Sequence, residues 1–101
     1  MKRILLACSS GMSTSLLVSK MKEIAKLRNL KVEIWAVGNE KVDTDMEKAD
    51  VLFIGPQMRF LKKKLDKKAD KLGIHIEVID SIAYGRVDGE AVLNRALELI
   101  H

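Results

Sequence analysis

Cysteine is almost missing from this chain, with one residue, Cys8, in 101. That excludes an internal disulfide, and the lack of any CxxC pair or Cys/His cluster leaves no zinc-binding pattern. No metal and no cofactor are expected. Aromatic residues are also scarce, one Trp, one Tyr and two Phe, too few to stack on nucleic-acid bases. No hydrophobic run approaches the roughly 18 residues of a membrane span. The opening Lys2-Arg3 leads into a short apolar stretch, well below the length of a signal-peptide core. A soluble, cytoplasmic protein is therefore expected, in a compartment where a thiol stays reduced. At 48% hydrophobic, the chain carries enough apolar matter to fold as one domain, 1–101, without covalent staples.

Charge is present but unevenly spread. Residues 57–73 hold seven basic side chains (Arg59, Lys62, Lys63, Lys64, Lys67, Lys68, Lys71) against Asp66 and Asp70. That stretch carries +5 of a total of +4, leaving −1 for the rest. The basicity belongs to one helix, which reads either as a solvated face or as a dock for an acidic protein. Nucleic acid is not expected as a partner.

Short apolar runs alternate with longer helical periods. Residues 3–7, 32–37, 51–54 and 74–79 read as strands, the second closed by Gly38-Asn39 and the third stopped by Gly55-Pro56. Leu17, Met21 and Ile24, broadened by Leu16 and Leu27, predict a helix from Leu16 to about Arg28-Asn29. Residues 40–48 support a short helix at best. Leu61, Leu65, Ala69 and Leu72 mark the inner face of the basic helix. A loop over 80–89 then leads to a last helix, with Asp88 as N-cap and Leu93, Leu97 and Ile100 inward. This alternation predicts an α/β fold: a four-stranded parallel sheet, doubly wound, with helices on both faces and a phosphate-binding loop after strand 1. Ligands of such sheets bind beyond the carboxyl ends of the strands, where strand order reverses. That rim collects Cys8, Gly38-Asn39, Gly55-Pro56-Gln57 and the stretch from Asp80 to Tyr84.

The stretch after Cys8 is Ser9-Ser10-Gly11-Met12-Ser13-Thr14-Ser15. Small hydroxyl residues and a glycine at a helix start offer unpaired backbone N–H groups and the positive end of the helix dipole, an anion cradle. Gly11 suits a loop needing positive φ or close approach of backbone to an anion. An ordinary thiol, with a pKa near 8.5, is only a few per cent ionised at neutral pH. A helix N-terminus lowers that value, so Cys8 is expected to be a partly ionised nucleophile. A phosphoryl group on its sulfur would meet the amides of residues 9–15, each charge-assisted hydrogen bond contributing about 1.5–3 kcal/mol. Ser13, Thr14 and Ser15 add hydroxyls or simply cap the helix. Gln57 and Tyr84, on neighbouring rim loops, either bond the phosphoryl group and orient the loop or serve as a turn amide and a half-buried tyrosine. Asp80 is read as structural, bonding amides of its own turn. Met12 and Met58 either rim the site or fill core gaps. The alternative is a thiol enzyme, like the low-molecular-weight tyrosine phosphatases or arsenate reductases. The phosphatase loop has an arginine six residues after its cysteine to grip the transferring phosphoryl group; Thr14 stands there instead.

Three ordered blocks carry a family resemblance: Cys8 to Val18; Ala49-Asp50-Val51 leading to Gly55-Pro56-Gln57; and Val78-Ile79-Asp80-Ser81 followed by Tyr84-Gly85 and Val87-Asp88-Gly89. Over essentially its whole length the chain resembles the enzyme IIB component of the phosphoenolpyruvate-dependent sugar phosphotransferase system, lactose/cellobiose (chitobiose) class. The resemblance implies a phosphoryl carrier. Enzyme IIA, phosphorylated on histidine, passes the group to Cys8, which gives it to a sugar held by the membrane permease IIC. It implies a cytoplasmic protein, peripheral at the inner face of the membrane through IIC. A monomer is the default for a shuttle with two partners. The thiol is expected to be exposed at a surface that both partners cover in turn.

Overall fold

A computed structural model of the chain describes the backbone of residues 1–8 and 11–100, and the side chains of these except 11–13. Four strands are present, β1 (Lys2–Ala7), β2 (Val32–Val37), β3 (Val51–Ile54) and β4 (His75–Val78). The helices are α1 (Gly11–Leu27), α2 (Asn39–Asp45), α3 (Lys62–Leu72), α4 (Ser81–Gly85) and α5 (Gly89–Leu99). Short 3-10 segments, Met46–Lys48 and Pro56–Leu61, follow α2 and precede α3. The strands form one parallel sheet in the order β2-β1-β3-β4.

The two central strands are apolar at every core position, Ile4-Leu5-Leu6-Ala7 and Val51-Leu52-Phe53-Ile54, because helices cover both faces of the sheet. Alternate side chains divide between two cores. Ile4, Leu6, Val51 and Phe53 pack with α1 and α5 through Leu17, Met21, Leu93 and Ala96. Leu5, Ala7, Leu52 and Ile54 pack with α2, the 3-10 segment after it and α3 through Val42, Met46, Leu65 and Ala69. The doubly wound arrangement expected from the sequence is therefore present.

Helix ends follow local chemistry. Asn29, at φ 57, ends α1 in a left-handed turn, its N–H bonding Lys26 O while Leu30 N–H reaches Ala25 O. Gly73, at φ 73, ends α3 the same way, with Ile74 N–H on Ala69 O. Asp88 caps α5 by accepting from Ala91 N–H at 3.1 Å, as the sequence predicts.

Three expectations change. The first helix begins at Gly11 rather than Leu16, so the hydroxyl-rich stretch after Cys8 is mostly the first turns of α1. Leu16 and Leu27 stand 54% and 81% exposed, because the buried stripe of α1 is narrower than their spacing implied. The expected loop over 80–89 contains the short helix α4, nucleated by the Asp80 side chain, which accepts from Ala83 N–H.

Two contacts between elements have measurable consequences. At Gly89 an added Cβ would lie 2.7 Å from Lys20 Cβ and 2.8 Å from the Met21 backbone nitrogen, so α1 and α5 touch there through backbone. Gly89→Ala is expected to cost about 1–3 kcal/mol in urea unfolding through this overpacking. Arg95 on α5 grips Glu77 on β4 with two 2.8 Å bonds. Those bonds, more than the opposing effect of burial, hold the Glu77 carboxyl below its usual 4.5, aided by the charges of Arg95 and Lys62. Its stabilising effect is therefore present above pH 4.5 and lost as pH falls through the lowered value. Glu77→Gln should cost about 1 kcal/mol or less at pH 7, since the pair is partly solvated, and the difference from wild type should vanish in melts well below pH 4.

Candidate functional site

Strand order reverses between β1 and β3: β2 lies outside β1 and β4 outside β3. The carboxyl ends at this seam are tied together, Gly55 N–H donating to Ala7 O at 2.8 Å. On the flanks, Cys8 N–H donates to Val37 O at 3.2 Å and Ile79 N–H to Ile54 O at 2.8 Å. Cys8 is the first residue past β1, at the crevice where doubly wound sheets bind ligands.

Gln57 arrives from β3. Pro56 opens the 3-10 segment, Met58 N–H closes the turn on Gly55 O at 2.8 Å, and the Met58 side chain, 1% exposed, anchors the segment in the second core. Of the two readings of Met58, core filling is therefore the observed one. With Met58 fixed inward, Gln57 faces the site, its Nε2 donating to Cys8 Sγ at 2.8 Å and to Tyr84 OH at 3.1 Å. Gly55 leaves the space for this. A Cβ there would sit 2.8 Å from Gln57 Oε1 and 3.2 Å from Cys8 Sγ.

Tyr84 arrives from β4 on α4. Asp80 Oδ2 accepts from Ala83 N–H at 3.0 Å and Asp80 O from Tyr84 N–H at 2.8 Å. Asp80 thus has the structural role read from the sequence, and through it α4 carries the tyrosine. The Tyr84 hydroxyl lies 3.0 Å from Cys8 Sγ and 3.4 Å from Thr14 Oγ1, with its ring packed on the first core. Thr14, on α1, is 2% exposed. Instead of an arginine, this position holds a buried hydroxyl facing the tyrosine.

The structure thus joins four sequence-predicted residues, Cys8, Thr14, Gln57 and Tyr84, in one hydrogen-bonded group from the segments after β1, β3 and β4. Gly11 is the first residue of α1, three positions after Cys8, so the positive end of the α1 dipole lies at the same rim. Ser15 is exposed near the start of α1. Ser9 and Ser10, and the side chains of Met12 and Ser13, lie outside the described residues.

One expectation is corrected. Cys8 is only 4% exposed, not open at the surface, because segments from three strand ends converge over it. Two contributions escaped the sequence reading. Gly55 matters through its approach to a sulfur 47 positions away in the chain. Helix α4 was missed although Asp80, followed by Ser81, is itself an N-cap signal.

A lone cysteine beneath converging donors, at the switch point of a four-stranded parallel sheet, defines an α/β protein with a thiol-centred site. Comparison with known proteins gives the family. The model for "PTS system, Lactose/Cellobiose specific IIB subunit" matches residues 3–95, and the chain belongs to that family of the sugar phosphotransferase system. It is 59% identical over 100 residues to the oligo-beta-mannoside-specific EIIB component of Bacillus subtilis, covering 99% of this chain and 97% of that one. It is 42% identical over 105 residues to the cellobiose-specific EIIB component of Lactococcus lactis subsp. lactis, with the same coverage. The fold is similar to the lactose-specific IIB domain of Streptococcus pneumoniae, with a TM-score of 0.88 at 20% identity, over 99% of this chain and 98% of that one. It is also similar to the solution structure of the cellobiose-specific IIB protein of Borrelia burgdorferi, with a TM-score of 0.82 at 38% identity, over 98% and 91%. The family's role is phosphotransfer, alongside IIA and membrane IIC components, and the phosphatase-like alternative is not favoured. Among the described residues no helix is long and apolar enough to cross a membrane.

The Asp80 cap gives a direct test of how Tyr84 is held. Asp80→Ala should lower stability by about 1 kcal/mol and speed amide exchange at Ala83 and Tyr84 more than in α1. Asp80→Asn, which keeps an acceptor, should restore most of both.

Proposed function

We propose that Cys8 is the phosphoryl-carrying residue of this IIB component. The observation that carries the reading is the pair of groups on its sulfur, Gln57 Nε2 at 2.8 Å and Tyr84 OH at 3.0 Å, beside the start of α1. Hydrogen bonds to a thiolate favour the charged, nucleophilic form. The thiolate attacks phosphorus in line; the N–P bond of phosphohistidine on IIA breaks as the S–P bond forms, and the imidazole leaves with the electron pair and takes up a proton. In the second step a sugar hydroxyl held by IIC attacks, the S–P bond breaks and the thiolate returns, the hydroxyl proton passing to a base or to water.

With Cys8 4% exposed, in-line attack requires Gln57 and Tyr84 to move off the sulfur. Their donors then face the phosphoryl oxygens, together with the Thr14 hydroxyl and the unpaired N–H groups at the start of α1. Thr14 in place of an arginine suits a site that holds a phosphate rather than discharging it to water. The protein acts as a cytoplasmic monomer that reaches the membrane through IIC. Its sugar is a β-linked oligosaccharide, as the names of the mannoside and cellobiose relatives suggest.

Incubation with phosphorylated IIA, followed by ³¹P NMR, tests the reading. An S-phosphoryl signal is expected in wild type and none in Cys8→Ser, with Tyr84→Phe forming it about ten times more slowly through loss of one hydrogen bond to a charged group. A histidine-type signal in this chain, or labelling that survives Cys8→Ser, would overturn it.

A further inference from the structure

The strongest feature outside the site is the outer face of α3. Leu65 and Ala69 bury the inner side of this helix. Lys63, Lys67 and Lys71, four residues apart, form one exposed row, with Lys64 beside it and Asp70 the acidic residue within it. The remaining lysines of α3 are engaged, Lys62 with Asp66 at 3.0 Å and Lys68 with Glu47 at 3.3 Å. At the leading end of the row stand Arg59, exposed, and Phe60, 75% exposed.

We propose that this face docks on an anionic lipid bilayer. The row spans about 12 Å of helix, from the rim toward the opposite edge of the sheet where β4 begins, so a protein seated over Cys8 covers only its near end. Protein interfaces are poor in lysine and rich in buried aromatic and apolar anchors. A lysine row with a single projecting phenylalanine has the opposite composition. It matches a flat anionic surface, where each nearby lysine adds to binding and an aromatic ring enters the headgroup layer. Neighbouring α2 carries Glu40, Asp43 and Asp45, which limits the contact to the α3 side. With α3 lying on the bilayer the rim points along the membrane surface, so the bilayer does not lie over the Cys8 site. The proposal stands independently of the phosphotransfer reading.

Sedimentation of the purified full chain with vesicles tests it, with no IIC present. Retention is expected on equal parts phosphatidylglycerol and phosphatidylcholine, falling steeply with salt, and none on phosphatidylcholine alone. The triple variant Lys63→Gln, Lys67→Gln, Lys71→Gln should bind about a hundredfold more weakly. Lys22→Gln, Lys26→Gln, Lys31→Gln, with the same charge change elsewhere, should stay within about threefold of wild type. Phe60→Ala, a separate surface change, should weaken binding several-fold. No retention on the anionic vesicles, or equal loss in both triple variants, overturns the proposal. So does tighter binding of polyglutamate or duplex DNA through the same three lysines, which assigns the face to an acidic protein or to nucleic acid.

Discussion

The seam between β1 and β3 carries the rest of this molecule. Its register sets Ile4 against Val51 and Ala7 against Ile54, and the 2.8 Å bond from Gly55 N–H to Ala7 O extends it past the end of β3. From this seam the chain winds outward both ways, β2 beyond β1 and β4 beyond β3. The crossovers therefore part, leaving an open crevice at the carboxyl end. Cys8 and Gly55 are the residues that step into it, and Gln57 reaches the sulfur because the seam holds them side by side.

Around that crevice the polar groups satisfy one another. The Tyr84 hydroxyl is shared among Cys8, Thr14 and Gln57 at 3.0–3.4 Å, and no described buried side-chain polar atom lacks a partner. Partial burial strengthens the bonds of Tyr84 to Cys8 and Thr14, whereas the bond from Gln57 to Tyr84 is exposed. Three anchors hold the group in place: Met58 in the second core, the Asp80 cap under α4, and Thr14 on α1. In the proposed cycle the bonds that now cover the sulfur are traded for bonds to a phosphoryl group. The cover shields the resting thiol from water.

Three large apolar groups stand exposed on the segments that form this rim, while Met1 and Leu27 are exposed at the opposite end of the sheet. Leu16, Phe60 and Ile82, all more than half exposed, belong to the segments following β1, β3 and β4. The packed cores take Leu17, Met58 and Ala83 from the same stretches. One helical step separates Leu16 from Leu17, so adjacent leucines divide between solvent and core by direction alone.

Much of the fold was legible in the sequence because its signals are local. Apolar runs such as Val51 to Ile54, the stop at Gly55-Pro56, the Asp88 cap and the period of Leu65 and Ala69 all act within a few residues. They specify four strands, the main helices and their alternation, and chirality then limits the winding. The lone cysteine at a strand-to-helix junction was visible for the same reason, as were Gln57 and Tyr84 as rim residues. The sequence by itself thus determined the elements, their order and the end of the sheet where chemistry gathers. Only the tertiary structure decided that Cys8 is covered rather than open, that Thr14 turns to Tyr84, and that Gly55 makes room beside the sulfur. Those outcomes depend on distances between residues 47 to 76 positions apart, which arise when three strand ends are brought together and leave no trace in short-range pattern.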